Sequence, residues 1–187
     1  MNMHVEELFP TPTWGIELDE NLDEIRDWIV TLHQNDPEGK HASNYGGWQS
    51  KSFCDYQNTP LKSLGEFIEG QIPLLCETMG FPTEERKLLN FWVNMNPKFA
   101  YNMVHVHTEA KFSGVFYVNV NENSGDFAFV NPQFYKSESH TPTKYTCSEV
   151  RCRPENNKLL IFPGWIQHHV LANVSDDVRI SISFNIV

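Results

Sequence analysis

Basic residues are scarce in this chain. Lys and Arg number 14 against 24 Asp and Glu, a formal net charge of -10 over 187 residues, and they are scattered along the sequence. A nucleic-acid surface needs a basic stripe that offsets phosphate charge and releases counterions, so nucleic acid is not an expected partner. The acidity reads mainly as solubility. Cysteine is equally sparse: Cys54, Cys76, Cys147 and Cys152 form no C-x-x-C pair, which argues against a disulfide framework or a cysteine zinc site and for reduced thiols. No stretch approaches the ~20 apolar residues of a membrane span. The start MNMHVEELFP lacks the basic and apolar regions of a signal peptide, so no membrane partner and a cytoplasmic location are expected. Internal repeats and low-complexity linkers are missing as well. At 40% hydrophobic content the chain can close one core and does not need two, so a single domain over 1–187 is expected.

What is present divides near residue 88. Leu22, Ile25, Trp28, Ile29 and Leu32 recur at helical spacing after Asp19 and Asn21, which can cap a first turn. Leu61, Leu64, Phe67, Ile68, Ile72 and Leu75 repeat the pattern, with Asn58 or Thr59 as cap and Pro60 in the first turn. Between them, His41–Lys51 is a polar, glycine-containing loop that reads either as a lid or as packed turn residues. Residues 1–88 are therefore expected to be helical support with a lid segment.

From Leu89 the period becomes that of strands: Leu89–Met95, Tyr101–His107, Gly114–Val120, Asp126–Val130, Lys158–Phe162, His168–Ala172 and Arg179–Ile186. These predict a mainly β, α+β fold, with residues 89–187 as the β core and helices on one side. Gln133–Asn157 is the one long irregular stretch, and its Tyr135–Tyr145 part, like Trp48, is a candidate for contact with a substrate. In Arg179–Ile186 the apolar Ile180, Ile182 and Phe184 alternate with Arg179, Ser181, Ser183 and Asn185, so one face is apolar and the other polar.

His105 and His107 share a face if their strand is regular, a geometry that offers two imidazoles to one metal. The pair alone fits two polar residues facing water equally well. A second histidine group, His168 and His169, follows the apolar run Leu159–Trp165 and could supply a third ligand. Three protein ligands on one face of iron(II) leave positions open for co-substrate and O2.

The segments His105-x-His107, Ser113-Gly-Val-Phe-Tyr-Val118, Ser124-Gly-Asp-Phe-Ala-Phe-Val-Asn-Pro132, Leu160-Ile-Phe-Pro-Gly-Trp-Ile-Gln-His168-x-Val170 and Arg179-Ile-Ser-Ile-Ser-Phe-Asn185 occur in that order. Together with Gly46-Gly-Trp-Gln-Ser50, they resemble the 2-oxoglutarate–Fe(II) oxygenase family of bacteria and phages. The resemblance covers most of the chain. It implies a double-stranded β-helix, a jelly-roll barrel buttressed by the N-terminal helices, and a location in the host cytoplasm if the chain is phage-encoded. It implies Fe(II), 2-oxoglutarate and O2 as cofactors, and hydroxylation of an unidentified substrate with release of succinate and CO2.

Carried over by position, the resemblance makes His105, His107 and His168 the metal ligands, with His169 pointing away. Arg179 matches the residue that clamps the distal carboxylate of 2-oxoglutarate, Ser181 lies on the same face, and Tyr117 and Asn102 are further pocket candidates. Asn94 is a polar residue in similar apolar surroundings. Tyr117 reads equally well as a core aromatic. In the wider superfamily the second ligand is Asp or Glu, so either the site is a three-histidine variant or the register shifts and Glu109 supplies the acid. Two rivals stay open: a three-histidine dioxygenase without 2-oxoglutarate, and a non-catalytic cupin-like metal-binding or phage structural module.

Overall fold

The computed structural model describes residues 3–133 and 141–187. Its elements are β1 (Trp14–Glu17), α1 (Leu22–Asn35), β2 (Asn44–Tyr45), β3 (Trp48–Gln49), α2 (Lys62–Met79), β4 (Leu88–Asn96), β5 (Tyr101–His105), β6 (Phe112–Asn119), β7 (Phe127–Val130), β8 (Glu149–Cys152), β9 (Lys158–Pro163), β10 (His168–Val170) and β11 (Arg179–Ile186).

The two expected helices form. Asn21 caps α1 by accepting the Glu24 N–H, and Asp23 and Glu24 place negative charge at the positive end of the helix dipole. The start of α2 differs from expectation: Leu61 occupies the cap position, and the Thr59 hydroxyl accepts the Leu61 N–H instead. Pro73 lies inside α2 and cannot donate to the Glu69 carbonyl, but both residues are exposed, so water can satisfy that carbonyl.

The strands form two antiparallel sheets. The larger has the order β1-β9-β6-β11-β4-β3 and the smaller β2-β5-β10-β7-β8. Helices, large sheet and small sheet stack as three layers. The helix side of the large sheet buries Phe91, Val93, Phe116, Ile161, Ile182 and Phe184 against Ile25, Ile29, Leu64 and Ile68. Each such side chain contributes roughly 1.5–3 kcal/mol of transfer free energy. Val115, Tyr117, Leu160 and Phe162 of the large sheet meet Phe127, Phe129 and Val170 of the small one in a second core.

The alternation in β11 is as expected, but its polar face is not solvent. Arg179 and Ser181 are buried between the sheets, because the small sheet covers that face. Among the described residues no strand pairs into both sheets, so the fold is α+β with two facing antiparallel sheets, and a closed barrel is not formed. The elements nearest to joining the sheets, β2 and β3, are two residues long, too short to roll one sheet into the other.

Four strands escape the periodicity. β8 is an edge strand with charge at every second position, Glu149 and Arg151, which protects an edge but hides the strand signal inside Gln133–Asn157. β1 is only four residues. The short strands β2 and β3 convert His41–Lys51 from a loop into a strap: β2 pairs with β5 of the small sheet and β3 with β4 of the large one. Trp48 accordingly turns its ring into the helix-side core, edge-on to His33 at 4.9 Å, with Nε1 donating to the Asp36 carbonyl. It faces away from the candidate site. Of the expected substrate loop, residues 135–140, Tyr135 included, lie outside the described residues. No described helix is long and apolar enough to cross a membrane.

Candidate metal centre

His105 and His168 are cross-strand partners on β5 and β10, which brings their ring centroids to 4.3 Å. His107 reaches them differently from expectation. β5 ends at His105, and His107 sits in the following turn, where its N–H donates to the Gly164 carbonyl at 2.9 Å. Its ring lies 5.1 Å from each of the other two. One ligand atom from each of the three histidines falls within 4.8 Å of the others, and this is the sole such cluster among the described residues. Glu109 is exposed in a turn and is not part of it.

The ring orientations suit a metal. A carbonyl oxygen can only accept, so Nδ1–H of His105 donates to Met103 at 2.7 Å and Nδ1–H of His168 to Ile166 at 2.8 Å. Both imidazoles therefore keep an Nε2 lone pair free. Phe127 stacks on His168 at 16° and Phe162 meets it edge-on at 4.8 Å, fixing the ring. Trp92 lies 5.5 Å from His107.

Gly164 holds the turn that carries His107. A Cβ there would stand 2.4 Å from the Ala110 carbonyl oxygen and 2.9 Å from that of His107. Gly164→Ala should therefore displace His107 and weaken zinc or iron binding by at least tenfold, as measured by competition with a chromophoric chelator. Unchanged affinity would show that the turn does not position the histidine.

Burial, and next the nearby His105, pushes the pKa of His107 down to about 4. Burial likewise pushes His168 to about 3, with His105 again adding to the fall, and lowers His105. The three are thus neutral at pH 7, the form a metal needs. In the unfolded chain a histidine titrates near ~6.5, so between that value and the folded one the unfolded state binds more protons. Stability of the metal-free protein is complete above pH ~6.5 and falls as pH drops below it, by up to about 1.4 kcal/mol per group per pH unit. The window from 6.5 to 5 isolates the histidines, because the paired carboxylates Asp36, Glu149 and Asp176 are shifted below their usual range. A melting temperature that stays flat across that window would contradict this assignment.

The same pocket extends to Asn94, Asn102, Arg179 and Ser181. Arg179 is 1% exposed, and Nη1 donates to the Ser181 hydroxyl at 3.0 Å. Its Nε and Nη2, the Tyr117 hydroxyl and the Asn94 Oδ1 have no hydrogen-bond partner among the described residues. Burial lowers the Arg179 pKa and raises that of Tyr117, each group partly countering the shift of the other. A buried cation without a counter-charge is costly, and a planar guanidinium with two free donors matches a carboxylate. The donor set therefore fits a dicarboxylate held between Arg179 and a metal on the histidines.

Of the other expected site residues, Tyr117 does not line the pocket; its ring lies behind Arg179, 5.3 Å from the guanidinium carbon. Asn102 does line it, but its amide accepts from Asn96 and donates to Ser43, which suits bracing the wall. His169 points away and pairs with Glu149 at 3.1 Å. Trp92, Ser113, Phe127, Phe162 and Ser183 also line the pocket and were not anticipated. For Trp92 a signal existed: Asn90, Trp92, Asn94 and Asn96 alternate along β4 as the polar residues do along β11.

Several solved structures share this fold. A prolyl-4-hydroxylase of Pseudomonas putida is 13% identical with a TM-score of 0.65, over 94% of this chain and 92% of its own. The non-haem α-ketoglutarate-dependent carbocyclase SnoK of nogalamycin biosynthesis is 14% identical at 0.66, over 94% and 79%. HygX of Streptomyces hygroscopicus, solved with nickel, 2-oxoglutarate and hygromycin B, is 9% identical at 0.60, over 94% and 82%. At these identities the likeness speaks for the fold alone. No curated protein matches this chain. The family described as "Putative 2OG-Fe(II) oxygenase" matches residues 90–185, from β4 to β11. That span is just over half of the sequence and contains the three histidines and Arg179, and the chain belongs to this family.

Proposed function

We propose that the chain is a single-domain iron(II) oxygenase on a double-stranded β-helix, with 2-oxoglutarate as co-substrate. The observation that carries this reading is Arg179, a buried cation with unpaired donors in the pocket of three neutral imidazoles. His105, His107 and His168 hold the metal and leave its remaining face open. Arg179, steadied by Ser181 and backed by Tyr117, pairs with the distal carboxylate. Phe127 and Phe162 keep water from the His168 side. Iron(II) bound here supplies the O2 chemistry in which 2-oxoglutarate becomes succinate and CO2 while a substrate C–H becomes C–OH. Three neutral ligands leave the metal charge uncompensated, which strengthens its attraction for an anionic co-substrate.

The all-imidazole set by itself favours a second reading, a three-histidine dioxygenase that binds its substrate directly to iron and uses no 2-oxoglutarate. Anaerobic titration of the Fe(II) protein with 2-oxoglutarate separates the two, followed by assay of succinate on admitting air. A weak visible charge-transfer band and stoichiometric succinate are expected. Oxygen uptake that ignores 2-oxoglutarate would assign the second reading, and metal binding with no oxygen chemistry would assign a non-catalytic metal-binding role.

A further inference from the structure

Beside the metal centre lies a second space, a cleft of about 540 Å³ that shares Ser43, Trp92, His105 and His107 with the histidine pocket. Its large-sheet wall carries three carboxamides. Asn90 and Asn185 are register partners on β4 and β11, and Gln49 on β3 projects from the same face as its partner Asn94. Gln49 is only 6% exposed, yet its side chain makes no hydrogen bond among the described residues. Asn90 Oδ1 is buried without a partner. Asn185 Oδ1 accepts from Ser113, which leaves its Nδ2 to donate. Gln49 can thus offer both a donor and an acceptor and Asn185 a donor, while Asn90 Oδ1 is an acceptor still without a partner, a set that complements a peptide group.

The opposite wall is a strand edge. β2 covers β5 only at Tyr101 and Asn102, and the Met103 N–H is taken by the Ser43 carbonyl. Past that point no strand among the described residues lies on the β2 side of β5, and Val104, 55% exposed, and Val106 line the cleft. An uncovered edge pairs readily with an extended chain. Charge narrows the ligand further. Among the described residues Lys40 is the one Lys, Arg, Asp or Glu lining the cleft, so a cationic side chain finds no carboxylate among them, and the chain's net charge of -10 disfavours a strongly acidic segment.

We infer that this cleft binds an extended, uncharged stretch of polypeptide, laid between the β5 edge and the Gln49–Asn90–Asn185 wall. The stretch is the substrate presented to the metal, a role that rests on the oxygenase reading, whereas the binding itself does not. The test is a nuclear magnetic resonance titration of the full-length, 15N-labelled, zinc-loaded protein. The probe is a mixture of N-acetylated, C-amidated hexapeptides randomised over Ala, Ser, Val, Pro, Gln and Tyr. Shifts are expected in the side-chain amides of Gln49, Asn90 and Asn185 and in the backbone amides of Val104 and Val106. A matched mixture rich in Lys and Glu should bind at least tenfold more weakly, as should the neutral mixture to Gln49→Leu, whose remaining spectrum reports an intact fold. The inference is overturned if the neutral mixture moves none of these signals, if Gln49→Leu binds it undiminished, or if maltotriose binds in its place. The titration uses neither O2 nor 2-oxoglutarate, so its failure and a failure of the oxygenase reading are separate results.

Discussion

Replacing His168 by alanine is expected to abolish stoichiometric Fe(II) binding and all metal-dependent turnover, whereas His169→Ala retains both. The neighbours differ because successive strand residues face opposite ways. His168 turns towards His105 and His107 with its Nδ1–H pinned by Ile166, and His169 turns outward to Glu149. Losing one of three protein ligands removes the facial arrangement, and the remaining pair cannot hold iron at micromolar concentrations. Glu109→Gln is the companion control. Being exposed and outside the histidine cluster, it should leave iron affinity within about twofold, a ~0.4 kcal/mol effect. Calorimetry with Mn(II) or Fe(II) under argon reads all three variants. Iron retained by His168→Ala, or lost by Glu109→Gln, would sink the three-histidine assignment.

Arg179→Met should lose 2-oxoglutarate by 100-fold or more while keeping Fe(II), and should raise the melting temperature of the ligand-free protein. The first effect follows from leaving the distal carboxylate buried without its charge partner, a cost of order 3–5 kcal/mol. The second follows because the guanidinium is itself buried with two unpaired nitrogens and no salt bridge among the described residues. An apolar side chain of similar length removes that penalty. Arg179→Lys should retain a weakened fraction, since a point charge cannot make the two parallel bonds, and Ser181→Ala should cost about 1 kcal/mol. Titration of 2-oxoglutarate into Mn(II)-loaded protein, with parallel thermal melts, checks both effects. Unchanged affinity in Arg179→Met would remove the main physical reason for choosing this co-substrate.

The parts of the molecule that could be read from sequence are those where one local rule suffices. The alternation in β11 and the heptad-like spacing in α1 each follow from a single periodicity, and both elements sit where expected. The meaning of the polar face of β11 depended instead on the small sheet, whose strands are dispersed along the chain from β2 to β10; nothing in Arg179-Ile-Ser-Ile says that its polar face is covered. His107 shows the same limit. Its membership of the cluster was anticipated, but the route was not, because the strand stops early and the Gly164 carbonyl places the turn. The two-residue strands β2 and β3 are defined by their partners alone, and Trp48, expected near a substrate, instead anchors the strap to Asp36 and His33.

β11 pairs on both sides and contributes alternate residues to two different compartments. Ile180, Ile182, Phe184 and Ile186 belong to the helix-side core, while Arg179, Ser181 and Ser183 line the pocket. Selection can therefore act on the two sets almost independently. Substitutions at odd-numbered positions change what the site holds at little expense to folding, and those at even-numbered positions change thermal tolerance with the chemistry untouched. A single eight-residue segment thus offers diversification two separate registers, so new ligand preferences can be explored by exchanging every second residue of one strand.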